Sequence, residues 1–478
     1  MFCRRAADRA GGESDAEGDA KTDRIARLVV GAPWSGSGKT TVTLVLTAGL
    51  MERGHRVQSY KVGPDYIDGT YHTALTGRPT RNLDLWMGGP DDVLAQFERG
   101  AQGAGIAVVE GVMGLFDSAT PDGTSASTAE MARVLRAPLL LVLDGSQMAE
   151  SAAAIVYGCH RLEGSPGLAG VILNRIASPR HFDLLQAAIA ARTGVPVLGY
   201  LPARPDLAIP ERHLGLVPAA ELPLLAERLR GWAEIAADTL DWDRLERLAG
   251  DVPPLPVRPG ASRHPERTRH IPVALARDEA FHFYYAANLE LLEDFGAELL
   301  PFSPLRGEPI PSEARMLYVG GGFPEEFLPR FRELGAVQAG YRRRITGGLL
   351  TLAECGGYLW LGQELARARD QDAVPMVGVV PARMRLEPRL QGFGYREITA
   401  LNGGPWPAGT VFRGHEFHHA RVVEAHGGSP AWKLAVRGRE VSDGFLTPSL
   451  VAGFPHLYFP SHPDAIRALM AQAAGRGP

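Results

Sequence analysis

Residues 28–50, LVVGAPWSGSGKTTVTLVLTAGL, decide how the first half of the chain folds. A short apolar run ends at Gly31, a loop rich in Gly and Ser follows, and a helix-length stretch begins at Lys39. In a strand-loop-helix unit of this kind the loop N–H groups and the positive end of the helix dipole form an anion cradle. Lys39 then reaches terminal phosphates and the Thr40 hydroxyl a magnesium ion. Gly36, Ser37, Gly38, Lys39, Thr40 and Thr41 are therefore the expected ATP-binding residues, with Thr40 also a metal ligand. The usual spacing, G-x-x-x-x-G-K-[ST], places a glycine at position 33; Pro33 stands there, and Gly31, Gly36 and Gly38 supply the flexibility instead.

Working outward, the runs RLVVGA, HRVQSYKVG, GIAVVEGVMG, PLLLVLDG, LAGVILNR and VPVLGYLP are β-rich, bounded by Gly or Pro, and separated by helix-length segments. Such alternation predicts an α/β layer with a mostly parallel sheet built from βαβ units. Ligands sit at the C-terminal ends of parallel strands. Lys61, ending SYK, joins the phosphate site; Asp84 in RNLD and Glu110 in IAVVEG are magnesium candidates, with Asp65 in reserve; and Asn174 in GVILNR offers its amide to adenine. Residues 238–270, crowded with Pro, Arg and Asp, read as a linker between a first domain at 26–237 and a second at 271–478, and residues 1–25 as a disordered lead.

The second series, IPVALA, GAELLPFS, ARMLYVGGG and GGLLTLAECGG, is again α/β, with a β-rich tail from Val374. In LLTLAECGG, residues 349–357, an apolar run ends in Glu354, Cys355 and two glycines before a helical stretch. A strand turning sharply into a helix lifts its corner residue above the sheet and needs small neighbours. Cys355 is thus the expected nucleophile, its thiolate favoured by the helix dipole. The N–H of Gly356 and an N–H from Gly320, Gly321 or Gly322 in YVGGGFPEE would hold an oxyanion. The base is a downstream histidine, and spacing leaves His415 and His456 both open.

The formal charge of −4 carries no basic signature for nucleic acid, so small-molecule chemistry is favoured. Cys3, Cys159 and Cys355 are far apart with no CxxC, which excludes a disulfide framework and a zinc cluster and points to a reducing, cytoplasmic setting. The longest apolar runs, such as APLLLVLDG, are too short to span a bilayer.

With both signatures present, the chain resembles the cobyrinate and hydrogenobyrinate a,c-diamide synthases, the corrin-ring amidotransferases of cobalamin biosynthesis. The resemblance covers about residues 26–463 and rests on SGSGKTT, KVGPDYID, RNLDLWM, VEGVMGLFD, GVILNR, ERHLGL, AFHFYYAANLELLEDFGAELLPFSPL, YVGGGFPEEF, AECGGYLWLG, GFGYRE, GHEFHH and PHLYF. It implies an N-terminal P-loop domain of dethiobiotin synthetase type and a C-terminal class I glutamine amidotransferase domain. It implies further that Cys355 and His456 form the glutaminase pair, that Gly321, Gly322 and Gly356 line the oxyanion hole, and that Lys61, Asp84, Glu110 and Asn174 match the ATP and magnesium site. The glutamate usual two residues after the histidine is replaced by Tyr458, leaving the partner of His456 unassigned. Asp65, Tyr66 and Arg81 are expected to meet the polycarboxylate macrocycle, and His415 and His418 to bind substrate, support the amidotransferase site or pack. The implied partners are the corrin substrate, ATP and glutamine, with neither nucleic acid nor membrane, and a homodimer is compatible. Amidation of a nickel sirohydrochlorin is the alternative within the superfamily. A nucleotide switch without catalysis would leave the Cys355 corner unexplained.

Overall fold

A computed structural model describes residues 25–118, 126–209, 211, 212, 215, 216, 222, 225–255, 270–367, 373–436 and 438–475. The first seven strands are β1 (Ala26–Gly31), β2 (Val57–Val62), β3 (Arg81–Leu83), β4 (Ile106–Glu110), β5 (Leu139–Asp144), β6 (Gly170–Ile176) and β7 (Val197–Pro202). They form one parallel sheet in the order β3-β2-β4-β1-β5-β6-β7. Both faces are covered: Val29, Ala107 and Val109 pack into one core, while Leu28, Val30, Ile106 and Val108 pack into the other. That explains why these strands read as continuous apolar runs rather than alternating ones. Helices α1 (Lys39–Glu52), α2 (Asp68–Thr76) and α3 (Gly89–Ala101) follow β1, β2 and β3.

The stretch 238–270 is corrected in its first part. It opens with helix α4 (Trp242–Gly250), capped by Asp241, whose carboxylate accepts from the Arg244 N–H at 3.1 Å. Trp242, Leu245 and Ala249 are buried in the first core. Gly49 in α1 makes room for the indole, since a Cβ there would meet Trp242 at 2.1 Å. Three apolar residues spaced along one face suffice for docking, although the segment as a whole reads as polar. Residues 256–269, the remainder of the expected linker, lie outside the described residues, as do residues 1–24 of the expected lead and His213 and Leu214 of ERHLGL.

The second sheet comprises β8 (Ile271–Ala276), β9 (Ala297–Phe302), β10 (Met316–Val319), β11 (Leu350–Glu354), β14 (Phe445–Thr447) and β15 (Leu450–Gly453), ordered β9-β8-β10-β11-β15-β14 and parallel except for β14. Beside it an antiparallel sheet contains β12 (Gly392–Ala400), β13 (Val411–His418) and β16 (His456–Tyr458). Helix α5 (Ala286–Asp294) follows β8, and the short helix α6 (Gly356–Leu361) follows β11.

The two halves meet at the β3 edge of the first sheet. Arg81 makes a two-pronged ion pair with Glu290 of α5, and Arg99 of α3 reaches Asp294 at 2.8 and 3.0 Å. Tyr395 donates to Asp84 at 2.7 Å and Tyr458 to Asp92 at 2.5 Å. Met87, Tyr285, Ala287 and Tyr458 form a small apolar core between the halves. Aromatic bodies with polar tips suit this contact, because the rings exclude water while the hydroxyls of Tyr395 and Tyr458 each find a carboxylate.

Candidate active site

The phosphate loop is set by Gly38, which caps α1 at φ 84°. A Cβ on Gly38 would lie 2.0 Å from Nδ2 of Asn174, so glycine is required on both counts. Asn174 donates through Nδ2 to the Ser37 carbonyl at 3.0 Å, and its Oδ1 accepts from the Arg175 N–H at 3.0 Å. The amide expected at adenine therefore already has a partner on each polar atom, and it braces the loop. Lys39 Nζ donates to the Met113 carbonyl at 3.0 Å. Burial and the Lys61 ammonium lower the pKa of this lysine. Thr41 lies in the first turn of α1, beside Thr40.

Thr40 Oγ1 donates to Glu110 Oε1 at 2.6 Å and lies 3.3 Å from Asp68 Oδ2. Lys61 Nζ joins the same oxygens, at 2.5 Å from Asp68 and 2.9 Å from Glu110. The parallel register Lys61↔Glu110 between β2 and β4 produces this meeting. Burial opposes both charges, yet Asp68 and Glu110 hold the Lys61 ammonium well above its usual range. Lys61 and His72, the latter 2.6 Å from Glu110 Oε2, hold Glu110 well below the carboxylate range against its burial. Asp68 was not anticipated, although it sits in KVGPDYID. Asp65, held in reserve for magnesium, instead accepts the N–H groups of Ile67 and Asp68 at 2.8 and 3.0 Å, which turns the chain into α2 and delivers Asp68 to the cluster.

Asp84, expected as a magnesium ligand, has other partners in this structure. It lies one residue beyond the edge strand β3, where Oδ1 accepts from the N–H groups of Trp86 and Met87 and Oδ2 accepts from Tyr395. Burial pushes its pKa up to about 6. Among the described residues no three His, Cys, Asp or Glu form a ready metal cage. The oxygens of Thr40, Asp68 and Glu110 nevertheless suit magnesium, which takes few protein oxygens and fills its octahedron with water and phosphate.

The thiol corner has the backbone its sequence requires. Cys355 adopts φ 48°, a conformation rare outside glycine, and its N–H donates to the Gly453 carbonyl at 2.8 Å. A Cβ on Gly356 would stand 2.9 Å from the Gly322 nitrogen, so these two main chains touch beside the thiol. A Cβ on Gly321 would stand 2.3 Å from Cε1 of His456, which puts the imidazole against the glycine loop. His456 pairs in register with His415, and the rings stack at 4.7 Å. His415 itself is held by the Tyr285 hydroxyl at 2.9 Å. Nδ1 of His456 is buried without a partner, and Tyr458 turns away to Asp92. Glu354 instead fixes the strand: Oε1 accepts from the Leu457 N–H at 3.1 Å and Oε2 from Tyr318 at 3.0 Å.

The substrate-free surroundings work against the expected thiolate. Burial, followed by the charge of Glu325, pushes the Cys355 thiol far up, and burial with the neighbouring His415 pushes His456 far down. Both shifts disfavour the charged forms of thiol and imidazole in the substrate-free site. The Gly356 N–H at the start of the six-residue helix favours the thiolate, against burial and the charge of Glu325.

A cavity of about 530 Å³ joins the two halves, with Cys355 and His456 on one wall and Asp65, Tyr66, Asp68 and Met113 on the other. Tyr66 projects into the second half, its ring 5.1 Å from Phe283, 4.6 Å from Tyr285 and 5.2 Å from His456.

Comparison with known proteins agrees with both halves. Residues 28–217 match the family of CobQ/CobB/MinD/ParA nucleotide binding domains, and residues 272–464 match the CobB/CobQ-like glutamine amidotransferase domain. Cobyrinate a,c-diamide synthase of Priestia megaterium is 41% identical over 91% of this chain and 94% of its own. That of Dehalococcoides mccartyi strain 195 is 39% identical over 94% and 98%. Hydrogenobyrinate a,c-diamide synthase of Streptomyces coelicolor is 40% identical over 93% and 96%. The chain belongs to the a,c-diamide synthase family.

In this member of the a,c-diamide synthase family, two residues expected to meet the macrocycle, Tyr66 and Arg81, sit at the junction of the two halves. Arg81 is enclosed by Glu290 and Gln96, because β3 is the edge strand that the second half covers. Tyr66 is a half-buried ring of the junction and reaches the cavity only from its wall. His415 and His418 both line that cavity; His418 stacks on Phe454 at 3.9 Å and donates through Nδ1 to the Ala420 carbonyl at 2.8 Å. Among the described helices none is long and apolar enough to cross a membrane.

Proposed function

We propose that the chain amidates the a and c acetate carboxylates of cobyrinate or hydrogenobyrinate, using ATP and glutamine. The observation that carries this reading is the single cavity shared by Cys355 and His456 on one side and the Asp65–Asp68 loop on the other. Residues 26–237, with α4 added, serve as the ATP-dependent domain, and residues 271–478 as the amidotransferase domain.

A carboxylate resists ammonia because oxide is a poor leaving group, and phosphorylation by ATP replaces it with phosphate. Gly36 to Thr41 cradle the phosphates, and Lys39 exchanges its Met113 contact for a phosphate oxygen. Thr40, Asp68 and Glu110 would hold magnesium, which offsets charge on the phosphates. Lys61 helps hold Glu110 ionised, whereas burial and the neighbouring Asp65 push Asp68 up to about 7 in spite of the same ammonium. On the other wall, Nε2 of His456 takes the Cys355 proton as sulfur attacks the glutamine amide carbon. The N–H groups of Gly356 and of the Gly321–Gly322 segment stabilise the oxyanion, the protonated imidazole gives its proton to departing ammonia, and water cleaves the thioester to glutamate. A Cys355–His456 pair whose charged forms are disfavoured in the substrate-free site suits this sequence, since the proton moves only when substrate is in place. Ammonia reaches the acyl phosphate through the cavity, away from bulk water. Phe393 and Phe417, exposed and facing each other across β12 and β13 at the cavity wall, offer a flat apolar surface to the macrocycle.

The test is mass spectrometry of purified protein with MgATP, glutamine and, separately, cobyrinic, hydrogenobyrinic and nickel-sirohydrochlorin acids. Two exchanges of OH for NH2 on one of the first two acids are expected. Conversion of the nickel compound alone, or of none, would contradict the assignment.

A further inference from the structure

Four carboxylates line the shared cavity: Asp65, Asp68, Glu325 and Glu416. Three have cationic partners. Asp65 and Asp68 lie 3.8 and 2.5 Å from Lys61, and Glu416 pairs with Arg396 at 2.6 Å. Glu325 does not. It is 6% exposed, and its Oε2 is buried with no hydrogen-bond partner. The nearest guanidinium, that of Arg367, binds the Glu325 main-chain carbonyl at 2.7 Å and the neighbouring Glu326 carboxylate at 3.1 Å. A buried carboxylate oxygen without a partner is costly and calls for an explanation.

Its place in the chain supplies one. Glu325 follows Gly322 by three residues on the loop that touches Gly356, and its charge acts on the Cys355 thiol. Glutamine bound with its amide carbon at Cys355 carries an ammonium three carbons further along. Resting on the glutaminase reading above, we propose that Glu325 is the subsite for the α-ammonium of glutamine. Pairing gives the carboxylate its missing partner, and the ammonium offsets, beside the thiol, a negative charge that opposes thiolate formation. Burial pushes Glu325 up to about 7 when empty, so an incoming ammonium is the charge that keeps it ionised.

The probe is 4-carbamoylbutanoate, which is glutamine without its amino group. The parent enzyme is expected to prefer glutamine in kcat/KM by about 10- to 100-fold, the range of a charge-assisted hydrogen bond. In Glu325→Gln that preference is expected to collapse toward unity, chiefly through KM for glutamine, and Glu325→Asp is expected to keep most of it. The ratio does not depend on the fraction of protein that is folded. A Glu325→Gln enzyme with the parental preference overturns the inference while leaving the glutaminase reading intact. If Glu325→Gln acts on neither amide, Glu325→Asp decides, and loss of preference there overturns the inference. A parent enzyme that hydrolyses no glutamine would overturn the proposed function and this subsite with it.

Discussion

Gly321→Ala offers a sharp steric test of the glutaminase geometry. The added methyl carbon would lie 2.3 Å from Cε1 of His456. Carbon atoms rest at about 3.5 Å or more, so ring and loop must separate by about 1.2 Å. Little of that is free: His415 stacks on the imidazole at 4.7 Å, and the Tyr66 ring stands 5.2 Å away. Gly321 is not among the residues at positive φ, so the alanine backbone itself is unstrained and the collision is the whole effect. Misplacing a base by about 1 Å costs about 100-fold in rate. The assay is steady-state glutamine hydrolysis beside amidation driven by ammonium salt. Glutamine turnover is expected to fall about 100-fold while ammonia-driven amidation holds. A glutaminase kcat close to the parental value would refute the placement of His456 against the glycine loop.

Lys61→Ala removes the ammonium that ion-pairs with both Asp68 and Glu110, leaving Glu110 only His72 and the charge of Lys39, and should cost about 3–5 kcal/mol by thermal or denaturant unfolding, with partial recovery on adding magnesium; a near-neutral change would contradict the cluster. Glu354 is pushed up to about 8 from 4.5 by burial, so the folded protein keeps a proton the unfolded chain has lost. Stability from this group is therefore full below its unfolded pKa and declines as pH rises toward its folded one, by up to about 1.4 kcal/mol per pH unit. Glu354→Gln lacks that dependence, so its melting midpoint relative to the parent should climb across the same window, and a flat difference would contradict the buried carboxyl. Tyr458→Phe removes the hydroxyl bound to Asp92 and leaves His456 untouched. Glutamine hydrolysis should change little, whereas amide formed per glutamine consumed should drop; a loss near 1,000-fold, as for a triad member, would show that Tyr458 orients the base.

What could be read from sequence was local. The phosphate loop and the Cys355 corner are each contained in one strand-turn-helix unit, and their glycines are dictated by φ or by close approach within that unit. Glu110 and Lys61 were also legible, because both end central parallel strands beside the loop. Asp84 and Arg81 were not, because their surroundings depend on β3 being an edge strand that a distant half of the chain covers. Asp68 was hidden by the turn that Asp65 makes. The choice of His456 over His415 depends on which ring abuts Gly321, a fact of strand register between segments 41 residues apart in number, from 415 to 456. The burial around the thiol was not legible for the same reason: the turn and the helix start are local, and the enclosure that opposes thiolate formation is tertiary.

The central claim is that ammonia is released at Cys355 and consumed across the cavity at the Thr40, Lys61 and Glu110 cluster. Amidation of the macrocycle by Cys355→Ala, supplied with MgATP and either glutamine or ammonium salt, measures this directly. Turnover should vanish with glutamine and persist with ammonium. Persistence with glutamine, or loss with both from a folded protein, would contradict two separable sites joined by one cavity.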